Sequence, residues 1–396
     1  MSWKATTIGD FAPFSYGKGL AKKERRQGGI NVFGSNGTVG SHTQSLVDEP
    51  GVIVGRKGSV GEVHFSAAPF WPIDTTFFVV GSAERDIRFT YYLLKHLTLQ
   101  RLSGDSAVPG LNRDAAHSEE VVVPDLATQR RIAAVLGSLD DLIENNRRRI
   151  ELLEEMAQVI YREWFVHFRY PGHEDATFVD SPLGPIPEGW EVRSLSDLCS
   201  RIQAGGTPKR SEPAFWSDGT VDWYKTGDLT DSILIRSSEQ ITEHAVASSS
   251  TRTFEPETIL MAIYGAPTVG RLGLVETTSS ANQAALGLIA DPSVSSTAHL
   301  WFALRELREP LNRIAQGAAQ QNVSKQKVAD AQVISAPSEV INQFTVSAGV
   351  PWRLGHRLAH ANAGLAGLRD LLLPKLVTGE IDVSDLDLDA LVEAAS

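Results

Sequence analysis

Cysteine is nearly absent from this sequence, and long apolar runs are absent altogether. Cys199 is the single cysteine among 396 residues, which excludes a disulfide framework and a cysteine-rich zinc site. No apolar run approaches the roughly 20 residues that a membrane-spanning helix needs, and the opening MSWK does not begin a signal peptide. We therefore expect a cytoplasmic protein with no membrane association.

Motifs for catalysis and for phosphate binding are also missing. The glycine-rich segment GSNGTVG (34–40) is not a GxGxxG fingerprint, no P-loop lysine is present, and no Asn-Pro-Pro-aromatic motif of an amino-methyltransferase occurs. Glu188 and residues 191–193 resemble part of a nuclease motif but lack its lysine. His356 and His360 have ligand spacing, but no glutamate or third ligand accompanies them, so a solvated helix face is the better interpretation. We expect no catalytic residue and no metal site.

The net charge is −11, from 48 acidic and 37 basic residues, which taken alone argues against a nucleic-acid partner. The charges are unevenly placed, however. The segment after Gly379 is strongly acidic, whereas basic residues cluster at 18–26, 56–57 and 209–210. Local patches decide nucleic-acid binding, so the sum leaves the question open. A charge cluster can also be ordinary solvated surface.

A long helix is predicted in the middle of the chain, at residues 125–168, which contain no proline. Its apolar positions recur every seven residues in two rows: Leu136, Ile143, Ile150, Ala157 and Trp164, and Ile132, Leu139, Asn146, Leu153 and Ile160. Such a repeat indicates a helix that coils against another helix, with the polar Asn146 fixing the register. The alternative, a core helix of one large domain, is disfavoured by the length and by the lack of caps in the middle.

The two rows above together form one apolar stripe, which suffices for one partner helix. Leu152, Val159 and Val166 form a second apolar row on another side of the helix, which predicts a further protein surface. Residues 338–378 form another helical segment, with rows Val340, Leu354, Ala361 and Leu368, and Phe344, Leu358, Leu365 and Leu372. Gly349 and Pro351 are expected to kink or interrupt it.

The chain also repeats itself, with a period of about half its length. Residues 58–61 align with 267–270, residues 73–76 with 281–284, and residues 110–112 with 322–324. Pro124 and Gln129 align with Pro337 and Gln343, each pair opening a helical segment. Two similar but unequal units joined by rigid helices suit the reading of two unlike half-sites at a fixed spacing on DNA.

The turns of both halves carry residues suited to reading nucleic acid. Arginine can bind guanine and asparagine or glutamine can bind adenine through two hydrogen bonds, while lysine and glycine-rich turns hold phosphates. The candidates in the first half are Lys18, Lys22, Lys23, Arg25, Arg26, Asn36, Arg56, Lys57, Asn112 and Arg113. The candidates in the second half are Thr207, Lys209, Arg210, Lys225, Tyr264, Gln320, Gln321 and Lys325.

Several longer stretches together resemble the specificity (S) subunits of type I restriction-modification systems, over essentially the whole chain. In the first half they are YGKGL, FGSNGTVGSH, PGVIVGRKGSVGEV and FWPIDTTFFV. In the second half they are IPEGWEV, GGTPKR, VDWYKTGDL, ILMAIYGAPTVGRLGL, ANQAALGL and QQNVSKQKV. The helical parts match as DLATQRRIAAVLGSLDDLIENNRRRIELLE and LRDLLLPKLVTGEI. Together they are far more specific than any single motif above.

The resemblance implies an α+β protein. Two αβ target recognition domains, in a pseudo-twofold repeat, would be joined by two long helices that form an antiparallel coiled coil. We expect the first recognition domain at 1–124, the long spacer helix at 125–168, a linker at 169–189, the second recognition domain at 190–337, the second spacer helix at 338–378 and an acidic tail at 379–396.

The resemblance also implies a function. Each domain would read one part of a bipartite, asymmetric sequence in double-stranded DNA. The helices would set the unread spacing and dock two methyltransferase (M) subunits, through Leu152, Val159 and Val166, and restriction (R) subunits would join that core. S-adenosylmethionine, ATP and Mg would belong to those partners and not to this chain, which would be no enzyme.

Two departures and three alternatives accompany this interpretation. The first domain lacks the full Pro-Glu-Gly-Trp entry, and the two domains resemble different subtypes, which predicts unlike half-sites. The chain could instead serve a modification-only antiphage system, act as a coiled-coil adaptor that never touches DNA, or be a nuclease fused to recognition domains.

Overall fold

The protein forms two compact units that share its two long helices. The structure, a computed structural model, describes residues 2–103, 110–265, 268–316 and 322–385. Unit 1 comprises residues 1–144 and 364–396, and unit 2 comprises residues 145–363. Each unit therefore combines one αβ segment with part of each long helix.

Among its described residues, unit 1 has nine strands in three sheets. The strands are β1 (Trp3–Thr7), β2 (Ser15–Tyr16), β3 (Ile30–Gly34), β4 (Gly37–His42), β5 (Gly51–Gly55), β6 (Val63–Ser66), β7 (Phe70–Pro72), β8 (Thr76–Val80) and β9 (Glu120–Pro124). They form a four-stranded sheet in the order β2-β8-β5-β6, a three-stranded sheet β4-β3-β7 and the pair β1-β9. β7 and β8 are separated by a turn in which the Thr76 amide donates to the Ile73 carbonyl at 3.0 Å.

The helices of unit 1 cover one face of the larger sheet. They are α1 (Ile8–Phe11), α2 (Ile87–His96), α3 (Arg113–His117) and the long α4 (Leu126–Tyr161), whose residues as far as Glu144 belong to this unit. Asp86 caps α2 by accepting from the Phe89 amide at 2.8 Å, and Phe89 and Leu94 are fully buried. α2 ends at His96, and a 3-10 turn at Leu99–Leu102 follows it.

Unit 2 contains thirteen strands within its described residues. They are β10 (Phe178–Val179), β11 (Ile186–Pro187), β12 (Glu191–Ser194), β13 (Cys199–Ala204), β14 (Val221–Tyr224), β15 (Ser232–Leu234), β16 (Glu239–Ile241), β17 (Thr253–Phe254), β18 (Ile259–Ala262), β19 (Leu272–Val275), β20 (Ser279–Ala281), β21 (Ala285–Ala290) and β22 (Gln332–Ser335). The helices are α5 (Glu243–Ser248), α6 (Thr297–Gln316), α7 (Lys325–Ala329), α8 (Ser338–Ser347) and α9 (Gly349–Val377), whose residues as far as Ala363 belong to this unit. A π-helical turn over Arg162–Val166 follows α4.

The sheets of unit 2 repeat those of unit 1 with additions. The order β13-β21-β18-β19 matches β2-β8-β5-β6 and gains β15 at its edge. The order β16-β14-β20 matches β4-β3-β7 and gains β17, and the pair β12-β22 matches β1-β9. Each smaller sheet contains one parallel pair, which is β3 with β7 in unit 1 and β14 with β20 in unit 2. The predicted internal duplication is therefore present in the topology.

Backbone hydrogen bonds show which residues of the two units correspond. The Gly61 amide donates to the Gly55 carbonyl and the Gly270 amide to the Ala262 carbonyl, both at 2.8 Å, as the aligned residues 58–61 and 267–270 predict. The alignment of residues 73–76 with 281–284 is wrong by one position, since Thr76 occupies the place of Ala285. The alignment of Gln129 with Gln343 is also wrong, because Gln129 is buried and Gln343 is exposed.

The two long helices run antiparallel within each unit. In unit 2, the Asn146 side chain donates to the Asn362 side chain at 2.9 Å, and Gly355 lies next to Ile150, whose Cγ2 is 3.9 Å from the place of a Cβ on that glycine. In unit 1, Arg369 pairs with Asp140 at 2.8 Å. Asn146 is only 5 % exposed, so it lies in the helix seam and has a polar partner there.

The heptad of the second helical segment is only partly correct. As expected, the segment is interrupted, with α8 ending at Ser347 and α9 beginning at Gly349. Leu354 and Leu368 are each 44 % exposed, however, so their predicted row does not face the core. Trp352 lies on the buried side of α9 instead, and it packs on Trp301 with ring centroids 5.4 Å apart. The same side contains small or polar residues, which a search for apolar residues at heptad spacing does not find.

Candidate nucleic-acid interface

In each unit, the glycine that follows the first strand of the larger sheet lies very close to the backbone of a turn, at one corner of the unit. In unit 1, a Cβ on Gly17 would lie 2.1 Å from the Ile73 carbonyl oxygen; in unit 2, a Cβ on Gly205 would lie 2.3 Å from the Ala281 carbonyl oxygen. Only glycine fits such an approach. The residues that follow β2 and β13 are thereby held against the turn that precedes β8 or β21.

Three side chains meet at this corner of unit 1. Tyr16, at the end of β2, is 49 % exposed. The Cζ atoms of Arg56, after β5, and of Arg113, at the start of α3, lie 5.0 and 5.1 Å from the centroid of its ring. Both distances are within the range of cation–π attraction. We call Tyr16, Arg56 and Arg113 the Tyr16 cluster.

The cluster is held together by the backbone. The Leu111 amide donates to the Arg56 carbonyl at 2.9 Å, which fixes the start of α3 against the end of β5. The Arg56 guanidinium donates to the Asp74 carbonyl at 3.3 Å. Two residues distant in sequence therefore present their guanidinium groups on one aromatic ring, a positively charged surface with a flat apolar part.

Three further predicted residues lie around this cluster. The Lys18 amide donates to the Pro72 carbonyl at 2.9 Å, in the turn that precedes β8. Lys57 is exposed and forms a β-bridge with Gly110. Asn36 lies in the turn between β3 and β4, where its Oδ1 accepts from the Ser59 hydroxyl at 3.5 Å.

The basic loop at residues 18–26 has mixed roles. Lys22 and Lys23 are exposed on a 3-10 turn. The Arg25 guanidinium donates to the Val39 carbonyl at 2.8 Å, so it fastens the loop to β4. The Arg26 side chain is exposed, while its amide donates to the His42 ring at 3.1 Å.

Asn112 is largely a structural residue. Its Oδ1 accepts from the amides of Asp114 at 2.8 Å and Ala115 at 3.1 Å, which makes it the N-cap of α3. Ser324 has the same place before α7 in unit 2, where it accepts from the Lys327 amide at 3.2 Å. The aligned triplets at 110–112 and 322–324 therefore correspond, but they predict a helix start as well as a base contact.

Tyr264 and Lys325 occupy the equivalent corner of unit 2. Tyr264 is 40 % exposed and forms a β-bridge with Asn322, as Lys57 does with Gly110. Lys325 is exposed at the first position of α7, the place of Arg113 in α3. The Val323 amide donates to the Ile263 carbonyl at 2.9 Å, which puts Ile263 in the place of Arg56. Gln320 and Gln321 lie outside the described residues.

A second group in unit 2 combines both signs of charge. The Cζ of Arg210 lies 3.8 Å from the ring centroid of Trp216, and its guanidinium bonds to Glu239. Lys225 reaches the same carboxylate at 2.6 Å. These two hydrogen bonds hold the pKa of Glu239 below its ordinary value. We call Arg210, Trp216, Lys225 and Glu239 the Arg210 cluster.

Two other predicted residues lie close in sequence to this cluster. The Lys209 carbonyl accepts from the Trp216 indole at 3.2 Å. The Thr207 hydroxyl donates to the Gln283 side chain. Thr207 and Gln283 thus connect the loop after β13 to the turn before β21.

The prediction that His356 and His360 form a solvated helix face is wrong for His356, whereas the His360 side chain is 46 % exposed. The side chain of His356 is 12 % exposed, packs on Trp352 and lies 3.8 Å from Glu276, and burial lowers its pKa to about 4. His360 bonds to the same Glu276 at 2.6 Å. The glutamate arrives from a distant strand end, which sequence spacing could not indicate. In the parts of the chain that the structure describes, no group of three or more His, Cys, Asp or Glu residues is arranged to hold a metal ion.

The second apolar row of α4 is exposed in unit 2. Leu152, Val159 and Val166 are 59, 51 and 45 % exposed. Val166 lies in the π-helical turn, which changes the helical phase, whereas Met156, 54 % exposed, lies between the first two on one side of the helix. We call Leu152, Met156 and Val159 the Leu152 face. Within the described residues, no helix is long and apolar enough to cross a membrane.

Sequence reasoning missed the aromatic and acidic members of these sites. Tyr16 stands beside the basic loop and Trp216 follows Arg210 by six residues, so an aromatic residue next to a basic turn was the available signal. Glu239 and Glu276 gave no signal, because they meet their partners only through the fold.

Comparisons with known proteins agree with this architecture. The family model of the type I restriction modification DNA specificity domain matches residues 1–155 and 187–343. The type I restriction enzyme MjaIX specificity subunit of Methanocaldococcus jannaschii is 27 % identical over 310 residues, covering 75 % of this chain and 70 % of the relative. The HindI specificity subunit of Haemophilus influenzae is 24 % identical over 337 residues, covering 70 and 72 %.

A solved structure shows the same fold. The type I restriction-modification S subunit from M. genitalium superposes with a TM-score of 0.62 at 16 % identity, covering 95 % of this chain and 96 % of that one. The expected α+β class is therefore confirmed. The two segments that match the family model together span well over half of the chain. Specificity subunits are DNA-recognition components without catalytic function, as expected for this chain. The chain belongs to the family of type I restriction-modification DNA specificity subunits.

Proposed function

We propose that the chain reads a bipartite, asymmetric DNA target, one part through each unit, and directs methyltransferase and restriction subunits to it. The supporting observation is that the two units share one topology but differ at equivalent positions of the same corner. Arg56, Lys57 and Arg113 of unit 1 stand where unit 2 has Ile263, Tyr264 and Lys325. Unlike side chains on one frame suit unlike half-sites.

The Tyr16 cluster is suited to one of these parts. A guanidinium stacked on an aromatic ring is held flat and keeps its outward donors free for the two acceptors of guanine or for a phosphate. The exposed Tyr16 ring adds a surface on which a base or sugar can pack. Lys18 and Lys57, nearby, supply charge for the phosphate backbone.

The Arg210 cluster suits a more selective contact in unit 2. A carboxylate beside DNA repels phosphate, so Glu239 lowers non-specific affinity. It also aims Arg210 and Lys225 and can accept from the amino group of cytosine. The second half-site would then be read by a charge-balanced group, and the first by two arginines, of which Arg113 lies 3.6 Å from Asp114.

The Leu152 face suits a protein partner. Three exposed apolar side chains on successive turns of a helix mark an interaction site more than a solvated surface. We assign this face to the methyltransferase subunits. S-adenosylmethionine, ATP and Mg would be bound by the partner subunits.

The test is selection of DNA from a random duplex library by the complex of this chain with its methyltransferase subunits. The wild-type complex should enrich one asymmetric motif with an unspecified gap. Arg56→Ala should weaken binding by about 1–3 kcal/mol and relax base preference in one part of the motif only. Arg130→Ala, an exposed arginine on α4 of the same unit, is the matched control and should enrich the wild-type motif.

Two results would count against the proposal. Equal loss of preference in both parts with Arg56→Ala would contradict two independent readers. A wild-type complex that forms but enriches no motif would favour the adaptor alternative.

A further inference from the structure

A charged cavity lies beside the Leu152 face in unit 2. It has a volume of about 460 Å³ and is formed by one side of α4 and by α6. Glu151, Glu154 and Glu155 line it from α4, and Arg305 and Glu306 from α6. Val159 of the Leu152 face also lines it, so the cavity and the face form one continuous surface.

Each positive charge of the cavity lies beside a carboxylate, although the Nη1 of Arg305 is buried and donates no hydrogen bond within the described residues. Glu306 accepts from Arg162 at 2.7 Å, Arg305 faces Glu154 at 3.9 Å, and Arg308 pairs with Asp231, a residue outside the cavity lining.

Glu151 and Glu155 are exposed at the mouth, and no described residue forms an ion pair with either of them. The mouth therefore carries surplus negative charge, which disfavours an anionic ligand and favours a cation.

A buried acceptor points to the same kind of ligand. Gln158 lines the cavity and is only 9 % exposed. Its Nε2 donates to Glu306 at 2.5 Å, but its Oε1 is buried and accepts no hydrogen bond within the described residues. An unpaired buried acceptor is unfavourable by about 1–3 kcal/mol, so a donor that enters the cavity gains that bond. Arginine and lysine side chains carry several donors and no acceptor.

We propose that this cavity receives an arginine or lysine side chain of the methyltransferase subunit, whose apolar residues cover the Leu152 face. This inference rests on the docking role proposed above. A guanidinium or ammonium group there faces Glu151 and Glu155 and donates to Gln158. Because Glu155 lies between Leu152 and Val159 on α4, the partner needs one basic residue directly beside an apolar patch.

The test uses the full chain and the methyltransferase subunit of its own system. We expect the double variant E151Q/E155Q to lower the affinity of this pair about tenfold or more and to flatten its dependence on salt concentration, since charge at an interface acts on both. Glutamine keeps the shape of glutamate, so thermal unfolding should not change. Glu174→Gln, an exposed glutamate outside the cavity, is the matched control and should bind as the wild type does.

The outcomes separate this inference from the proposed function. If E151Q/E155Q binds with wild-type affinity and wild-type salt dependence, the cavity receives no cation and the inference is overturned, while the docking role stands. If the wild-type chain forms no complex with the methyltransferase subunit, the docking role itself fails. Glu155→Lys should weaken binding further than the double variant, and unchanged binding of this reversal would likewise overturn the inference.

Discussion

Glu154→Gln should stabilise unit 2 at neutral and alkaline pH. The Glu154 side chain is only 21 % exposed, and its nearest cation, Arg305, is 3.9 Å away. Burial raises the pKa of this carboxyl from its ordinary 4.5 to about 7, with Arg305 opposing and with Asp231 and Glu151 adding to the rise. The carboxylate is thus paired too loosely to offset its burial.

The magnitude follows from linkage. One pKa unit corresponds to about 1.4 kcal/mol, so the ionised side chain destabilises the folded unit by on the order of 3 kcal/mol. Because the folded pKa is raised, folding takes up a proton between the two pKa values. The stability contribution of Glu154 is therefore lost as pH rises from about 4.5 to 7, and the loss is complete above that range. Glutamine has no charge to bury, so the variant escapes this loss.

The assay is urea unfolding followed by tryptophan fluorescence, which reports mainly on unit 2, where most of the tryptophans lie. At pH 4.5 the two proteins should have nearly equal free energies of unfolding. At pH 8 the variant should be more stable by up to about 3 kcal/mol. A variant that is less stable at pH 8, or a difference that does not change with pH, would show that attraction to Arg305 outweighs burial and would refute the reasoning.

Three further predictions concern the helices. Asn146→Ala removes the donor to Asn362 from the helix seam and should lower the free energy of unfolding by about 1–3 kcal/mol; an unchanged value in denaturant titration would mean that water replaces the bond. Leu152→Glu should abolish the complex with methyltransferase subunits in size-exclusion chromatography, with less than about 0.5 kcal/mol change in stability because the position is exposed; matching loss of folding would assign Leu152 to the core. Four residues inserted in α4 lengthen it by about 6 Å, and methylation mapping should then show a longer gap with both half-sites kept; an unchanged gap would contradict the spacer role.

Local pattern predicted the elements that local pattern determines. The duplication marked by Gly61 and Gly270 and the central helix both depend on residues close in sequence. The same reasoning failed where packing decides. Leu354 and Leu368 keep the heptad spacing yet remain exposed, because Trp352 and Gly355 define the buried side of α9. Spacing alone does not measure the size of side chains.

The candidate recognition surfaces also combine features that local sequence indicates with features that only the fold produces. Basic residues in turns could be named from the sequence, but their partners could not. Tyr16 and Arg113 meet only because two turns distant in sequence converge, and Glu239 joins Arg210 and Lys225 through the pairing of β14 with β16. Asn112 has a role that the sequence did not indicate, since its side-chain oxygen caps a helix.

The most direct test of the two-reader account is single-molecule methylation sequencing of the host genome, with and without this gene. The account predicts one asymmetric motif with an unspecified gap, whose methylated adenines disappear when the gene is deleted and return with the wild-type gene. Restoration by the Arg56→Ala gene should extend methylation to sites that differ in one part of the motif only. A motif that lacks two parts would contradict the account. So would methylation that persists after the gene is deleted from a host that normally expresses it.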